Sequence, residues 1–176
     1  MVLQRTFKKA LGSMGFAVVA ALLVAPAGAQ TERGKAELKT GSGAITLDYG
    51  RPSLKGRDML SELKPDSLWR MGMNQATVLT TPVDLTFGAT KLAQGSYSLW
   101  LKKAGDKFEL VFNSQTGQWG TQHDPAKDVC SVVLKQEPLP APVETFTMDL
   151  KAAPKGGDLG LSWGATKLSA GFEVGK

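Results

Sequence analysis

The sequence predicts an all-β domain: an antiparallel β-sandwich, or a partly closed barrel, of about eight to nine short strands. Three observations lead there. After residue 35 the dominant hydrophobic period is two, the repeat of a strand with one buried face. Gly, Pro, Asn or Asp separates most of the alternating segments, in a chain of 176 residues that holds 20 Gly and 9 Pro. Stretches of helical period are few, so the apolar faces must be buried sheet against sheet.

In chain order, the first 29 residues read as a leader. Arg5, Lys8 and Lys9 make a basic start, Leu11 to Val24 is an uncharged and largely apolar run, Pro26 breaks it, and Ala27-Gly28-Ala29 is a small-x-small cleavage signal. That order is the order of a secretory signal peptide, and the run is shorter than the roughly 20 residues a spanning helix needs. No Cys lies near the cut, which argues against a lipid anchor. The expectation is a periplasmic or secreted protein with no stable membrane span after cleavage.

Residues 30–35 are polar and read as a flexible arm, and 36–176 as a single domain. Strands are expected where Ile45, Leu47 and Tyr49 alternate with polar residues, at 77–81, and along Val83, Leu85 and Phe87. Further strands follow at Tyr97–Leu99–Leu101, Phe108–Leu110–Phe112, 129–135, Phe146–Met148–Leu150, Leu159–Leu161–Trp163 and 167–174. Ala104-Gly105-Asp106 reads as a tight hairpin turn. Trp100 is out of phase with its strand's apolar set, so that strand is either covered on both faces or displays Trp100 outward. Cys130 alternates in phase with Val132 and Leu134 and reads as a small apolar core residue.

One stretch departs from the pattern. Pro52 to Asn74 contains no convincing strand, although Asp58 could cap a helical turn that stops before Pro65. Connections this long are usually functional or disordered, and Trp69 with two nearby Met residues argues against disorder. Later, Asp124 followed by Pro125 reads as an N-cap and first helical residue of a one-turn helix ending by Asp128. There is also an echo: Leu85-Thr86-Phe87-Gly88-Ala89-Thr90-Lys91-Leu92 recurs as Leu161-Ser162-Trp163-Gly164-Ala165-Thr166-Lys167-Leu168, as though two hairpins reused one turn chemistry.

The formal charge of +5 invites a nucleic-acid partner. The leader, however, takes three of the 21 Lys and Arg and none of the 16 Asp and Glu, which leaves +2 and no basic stripe. What remains is uneven. Beyond the leader the arginines are Arg33, Arg51, Arg57 and Arg70, and from residue 71 onward there are ten lysines and no arginine. A guanidinium grips carboxylate, phosphate or sulfate with a planar fork, which a lysine cannot do. The arginines around the long connection therefore either form an anion site or tie the loop down through Asp48, Asp58, Glu62 and Asp66. Trp69 and Trp119 add planar groups able to stack on a sugar ring or to fill the core.

His123 is the single histidine, and no paired spacing of metal ligands accompanies it. The glycine-rich phosphate and dinucleotide loops are absent, so no cofactor is expected, and no catalytic residue is assigned.

The motifs Tyr49-Gly50-Arg51-Pro52-Ser53-Leu54-Lys55-Gly56-Arg57, Trp69-Arg70-x-Gly72-x-Asn74-x-Ala76-Thr77, Leu92-x-x-Gly95-x-Tyr97-Ser98-Leu99 and Val111-Phe112-Asn113 occur in that order. Trp119-Gly120, Asp124 to Val129 and Pro142-Val143-Glu144-x-Phe146-Thr147 follow. Together they resemble the bacterial domain-of-unknown-function family 2911 over roughly residues 36 to 170. The resemblance implies an exported, β-rich protein and carries no catalytic assignment. There are three departures from the family pattern: Gln75 stands where Glu is usual, His123 where Tyr is usual, and Lys64-Pro65-Asp66 replaces Pro-Tyr-Gly.

The expected function is a non-catalytic binding module for an anionic or carbohydrate ligand of the cell envelope. Its candidate residues are Arg51, Arg57, Trp69, Arg70, Asn74, Trp119, His123 and Asp124. The alternatives are a structural or interaction protein of the envelope, and an extracytoplasmic hydrolase using His123, Asp124 and Ser53.

Overall fold

The computed structural model describes residues 33–175; the expected leader lies outside them. Ten strands, all paired antiparallel, follow one another: β1 (Arg33–Thr40), β2 (Gly43–Gly50), β3 (Leu68–Trp69), β4 (Thr77–Thr81), β5 (Leu85–Phe87), β6 (Thr90–Leu92), β7 (Gly95–Ala104), β8 (Lys107–Asn113), β9 (Asp128–Ala153) and β10 (Gly156–Val174). They form one sheet in the order β1-β2-β4-β7-β8-β9-β10-β5-β6, with β3 added to β7.

The sheet turns over along β9. Its residues 128–134 pair with β8, whereas 135–153 pair with β10. The strand thus leaves one half of the sheet and enters the other, and the halves face each other. Phe112 of β8 meets Phe87 of β5 at 5.4 Å between ring centroids, and Tyr49 of β2 meets Phe146 of β9 edge-on at 5.8 Å. The Tyr49 hydroxyl crosses the core to donate to the Met148 carbonyl at 3.1 Å. One continuous apolar cluster joins Ile45, Leu47, Leu79, Leu99, Leu110, Phe112, Phe146, Leu161 and Phe172. Truncating a buried Phe here to Ala is expected to cost about 3–5 kcal/mol.

β10 is strongly bent along its length. The register against β9 shifts on both sides of Gly164, whose φ is 59°. The two ends of β10 then lie side by side, with the Val174 N–H donating to the Lys155 carbonyl at 2.9 Å. The same feature explains the echo. Gly88 has φ 58° and makes the β5–β6 hairpin, while Gly164 has the same conformation inside a bent strand. One turn chemistry serves a hairpin and a bulge, not two hairpins. β9 runs beside Gly164 on both sides of the bend, so the chain does not reverse there.

Other expectations change as well. Residues 33–35 do not form an arm; they begin β1, which pairs with β2 along its whole length from Arg33↔Gly50 to Thr40↔Gly43. β9 and β10 are long, because segments expected as separate strands join through bulges and the proline-rich stretch around Pro138 and Pro142. Val83 lies outside β5, in a turn where the Thr81 hydroxyl donates to its carbonyl. Asp58 caps a single turn, accepting from the Ser61 N–H at 3.3 Å, and no helix grows from it. Asp124 caps the 3-10 turn Pro125–Lys127 as expected. Among the described residues no helix is long and apolar enough to cross a membrane.

Candidate functional site

The long connection after β2 is pinned at two places. Pro52 to Leu54 runs beside β9, with Leu54 N–H donating to Glu144 O and Phe146 N–H donating to Pro52 O, each at 2.9 Å. The Glu144 carboxylate accepts from the Lys55 N–H, and its carbonyl accepts from the Trp163 indole. Further on, Asp66 N–H donates to Lys103 O and Lys103 N–H donates to Ser67 O, which leads into β3 along β7. β3 and β4 then share one edge of β7, and residues 70–76 leave the sheet between them.

That excursion is tightly built. Met71 and Asn74 hold φ values of 46° and 63°, a region that Asn tolerates but a Met occupies only when the surroundings impose it. The Thr77 hydroxyl donates to Met71 O, and the Arg33 guanidinium reaches the Asp48 carboxylate, Asp48 O at 3.1 Å, Ala76 O at 3.2 Å and Gln75 O at 3.4 Å. One planar fork thus ties β1, β2 and the excursion together.

A second loop, residues 114–124, closes onto the first. Gly120 N–H donates to Asn74 O at 2.8 Å and Ala76 N–H donates to Gln118 O at 3.2 Å, so that Gln75 and Trp119 face each other as a bridge pair. In this arrangement the facing residues are not themselves hydrogen-bonded, which brings their side chains closest together. Trp119 is 50% exposed. The stem of Arg70 lies against Gly120, where an added Cβ would fall 2.9 Å from Arg70 Cδ and 2.8 Å from Asn74 O. Only glycine leaves room for that approach.

Beneath this rim the outer face of β7 is buried. Trp100 is 3% exposed, donates its indole N–H to Ser98 Oγ at 3.1 Å and packs on the His123 ring at 4.8 Å. β7 is therefore covered on both faces. His123 Nε2 hydrogen-bonds Asp128 Oδ1 at 2.8 Å, and buried Asn113 donates to that same oxygen and to Asp124 O.

The rim brings together Arg70, Asn74 and Trp119, with His123 and Asp124 alongside. Trp69 belongs to the core instead, stacked on Trp163 at 5.1 Å and edge-on to Phe146. Arg57 is exposed on the connection, and Arg51 is half-buried with a buried Nε that lacks a hydrogen-bond partner. The expected ion pairs between these arginines and the nearby acids do not form. Asp48 serves Arg33, Asp58 caps its turn, and among the described residues Arg51, Arg57 and Arg70 make no salt bridge. Sequence reasoning gave Gln75, Gly120 and Gln122 no place in the candidate site and missed the tying role of Arg33, because their importance arises from a pairing between loops some 45 positions apart.

The hydrolase constellation does not assemble. His123 engages Asp128, the Asp124 carboxylate accepts from Ala126 N–H, and Ser53 is bridged to Thr145 on β9. Among the described residues no group of three or more His, Cys, Asp or Glu could hold a metal ion. The perturbed titrations lie away from the rim. Burial pushes the Cys130 thiol up; burial, then Cys130 and Asp84, raise Tyr97; and the Lys135 hydrogen bond lowers Glu137. A groove of about 580 Å³ lies between the β5–β6 and β9–β10 turns and includes no candidate residue.

Fold and site together define an antiparallel β protein that carries a solvent-facing rim made by two paired loops. The chain matches the family described as a protein of unknown function (DUF2911) over residues 31–172, and it belongs to that family. No curated protein and no solved structure matches it.

Proposed function

We propose that this protein is exported and serves as a non-catalytic binding module for an anionic or carbohydrate ligand of the cell envelope. The observation that carries the reading is a rim whose backbone is fixed by Arg33 and the loop pairing and which bears the half-exposed Trp119 together with Arg70, an arginine that makes no salt bridge among the described residues. An arginine outside any ion pair and an indole left facing water contribute little to the fold and stay available to a ligand. Export rests on the order of basic start, apolar run and small-x-small signal, and it predicts a mature N-terminus at Gln30 on sequencing of the secreted protein.

The test is a thermal-shift screen with phosphate esters, cell-wall fragments and glycans at concentrations well above a millimolar Kd. A ligand-dependent rise in Tm that is lost in Arg70→Gln supports the reading; no shift with any compound overturns it.

A structural role in the envelope is the second reading. It is favoured by Trp69, which is spent on the stack with Trp163, and by the buried Nε of Arg51. Arg51→Lys and Arg70→Lys separate the two. Large losses of stability in both support the structural role, while retained stability with a lost ligand response supports binding.

A further inference from the structure

We infer that two copies of this chain pair edge to edge along β9, antiparallel, with Ser131 on the two-fold axis. The inference is independent of the rim and of any ligand there.

β8 holds one edge of β9 from Asp128 to Leu134. The other edge is taken by β10 only from Lys135 onward, where Lys135 stands opposite Ser169. β10 then leaves β9 and joins β5 through Glu173↔Thr86 and Val174↔Leu85. Among the described residues no strand takes its place and no loop hydrogen bond reaches Val129 to Leu134 on that side. An unpaired edge is a template for another strand. Burial records the opening. Cys130 and Val132 point inward yet are only half-buried, while Phe112 and Leu110 opposite them on β8 are fully buried. On the solvent face Val133 is 56% exposed, and Val129, at the bulge where the register with β8 shifts, is 49% exposed.

The terminal strands of the sheet are guarded and this edge is not. β1 exposes Lys35, Glu37 and Lys39, and β6 exposes Lys91, charges that hinder pairing with another chain. Residues 129–134 contain three Val and no charge, Pro or Gly, the composition of a segment that pairs readily. A second copy is the occupant this edge fits. Its solvent face, Val129-Ser131-Val133, reads the same from either end. A two-fold axis through Ser131 therefore sets Val129 of each copy opposite Val133 of the other without turning either strand over. Facing β-branched residues stabilise such pairs. Lys135, which approaches Lys127 of the other copy in this register, is neutralised by Glu137 at 2.9 Å. There is also room. A groove of about 430 Å³ opens where β10 departs, lined by Ser131 to Val133, by Gly88 and by Gly171. Gly171 is exposed, lies outside the left-handed region, and a Cβ there would meet nothing nearer than 3.9 Å. Its own chain does not demand glycine, and the missing side chain leaves space for an incoming backbone.

The contact is short, so a dimer with a Kd of about 1–100 μM is expected, and sedimentation equilibrium of the full chain across and beyond that range measures it. Val133→Lys should weaken the dimer at least about tenfold. Val133 is a surface residue, so the monomer should keep its far-UV circular dichroism. In a Cys130→Ala background, Ser131→Cys should yield a disulfide-linked dimer on mild oxidation. Val129→Cys in the same background should not, because its two copies lie about 13 Å apart in this register, too far for a disulfide.

A monomer at every concentration overturns the inference. A dimer that Val133→Lys leaves unchanged lies elsewhere on the surface and overturns it as well. Equal cross-linking through positions 129 and 131 overturns the antiparallel register centred on Ser131.

Discussion

The Cα of Gly50 lies against the main chain of Met73. A Cβ at Gly50 would sit 2.6 Å from the Met73 nitrogen and closer still to its carbonyl oxygen. The end of β2 and the excursion between β3 and β4 are thus in backbone contact, and backbone cannot rotate away as a side chain can. Gly50→Ala is expected to cost at least about 3 kcal/mol in chemical denaturation, beyond an ordinary overpacking change. Because the excursion carries the rim, the variant should also lose its ligand response at temperatures where it remains folded.

Arg33 joins three segments by way of Asp48 and the carbonyls of Gln75 and Ala76. Arg33→Ala is expected to destabilise by about 1–3 kcal/mol, the range of charge-assisted hydrogen bonds in a half-buried site. Arg33→Lys should recover only part of this, since an ammonium cannot reach the carboxylate and several carbonyls in one plane. Hydrogen exchange at the Ala76 and Gly120 amides, which close the loop pairing, should rise in both variants and identify the rim as the part released.

Gly88 and Gly164 share a left-handed φ and differ in surroundings. A Cβ at Gly88 meets nothing within 4 Å, and one at Gly164 meets only ordinary contacts at 3.7 Å and beyond. The cost of alanine at either is then the backbone penalty alone, about 1 kcal/mol. Equal shifts in denaturation midpoint are expected for Gly88→Ala and Gly164→Ala. A much larger loss at Gly164 would show that the bend in β10 depends on more than local conformation.

Burial raises the Cys130 thiol above its ordinary value. The unfolded chain therefore releases this proton at lower pH than the folded one. The contribution to stability is complete below the unfolded thiol value, about 8.5, and declines as pH rises through the folded value. Tyr97, raised by burial and by Cys130 and Asp84, adds a similar decline at higher pH. Denaturation midpoints should fall above about pH 8.5, and Cys130→Ala should flatten the first part of that fall. Iodoacetamide should label the native thiol far more slowly than the unfolded one at pH 8.

Much of the fold was legible because burial in a β-sheet writes itself into alternation. Tyr97, Leu99 and Leu101 point to the core as their phase requires, and Cys130, Val132 and Leu134 follow one face while Val129 and Val133 stand exposed. Turn chemistry was equally readable at Gly105 and at the Asp124–Pro125 cap. The candidate site was legible only as a neighbourhood. Trp69 and Trp119 carry the same residue type in similar polar settings, yet one lies in an aromatic stack and the other faces water. Nothing local separates them, since the difference is made by Trp163 and Phe146, which arrive from strands far along the chain.

By itself the sequence determined the all-β class, most strand positions and the gathering of arginines near one connection, because these depend on periodicity, composition and local conformational preference. Tertiary structure decided the rest. It joined short segments into β9 and β10, drew residues 33–35 into β1, assigned Asp48 to Arg33 and left Arg51, Arg57 and Arg70 without acidic partners among the described residues. It also set Gln75 opposite Trp119. Each of these is a contact between residues distant in sequence, fixed by which backbone groups must pair and which apolar faces must be covered, and neither requirement can be evaluated one segment at a time.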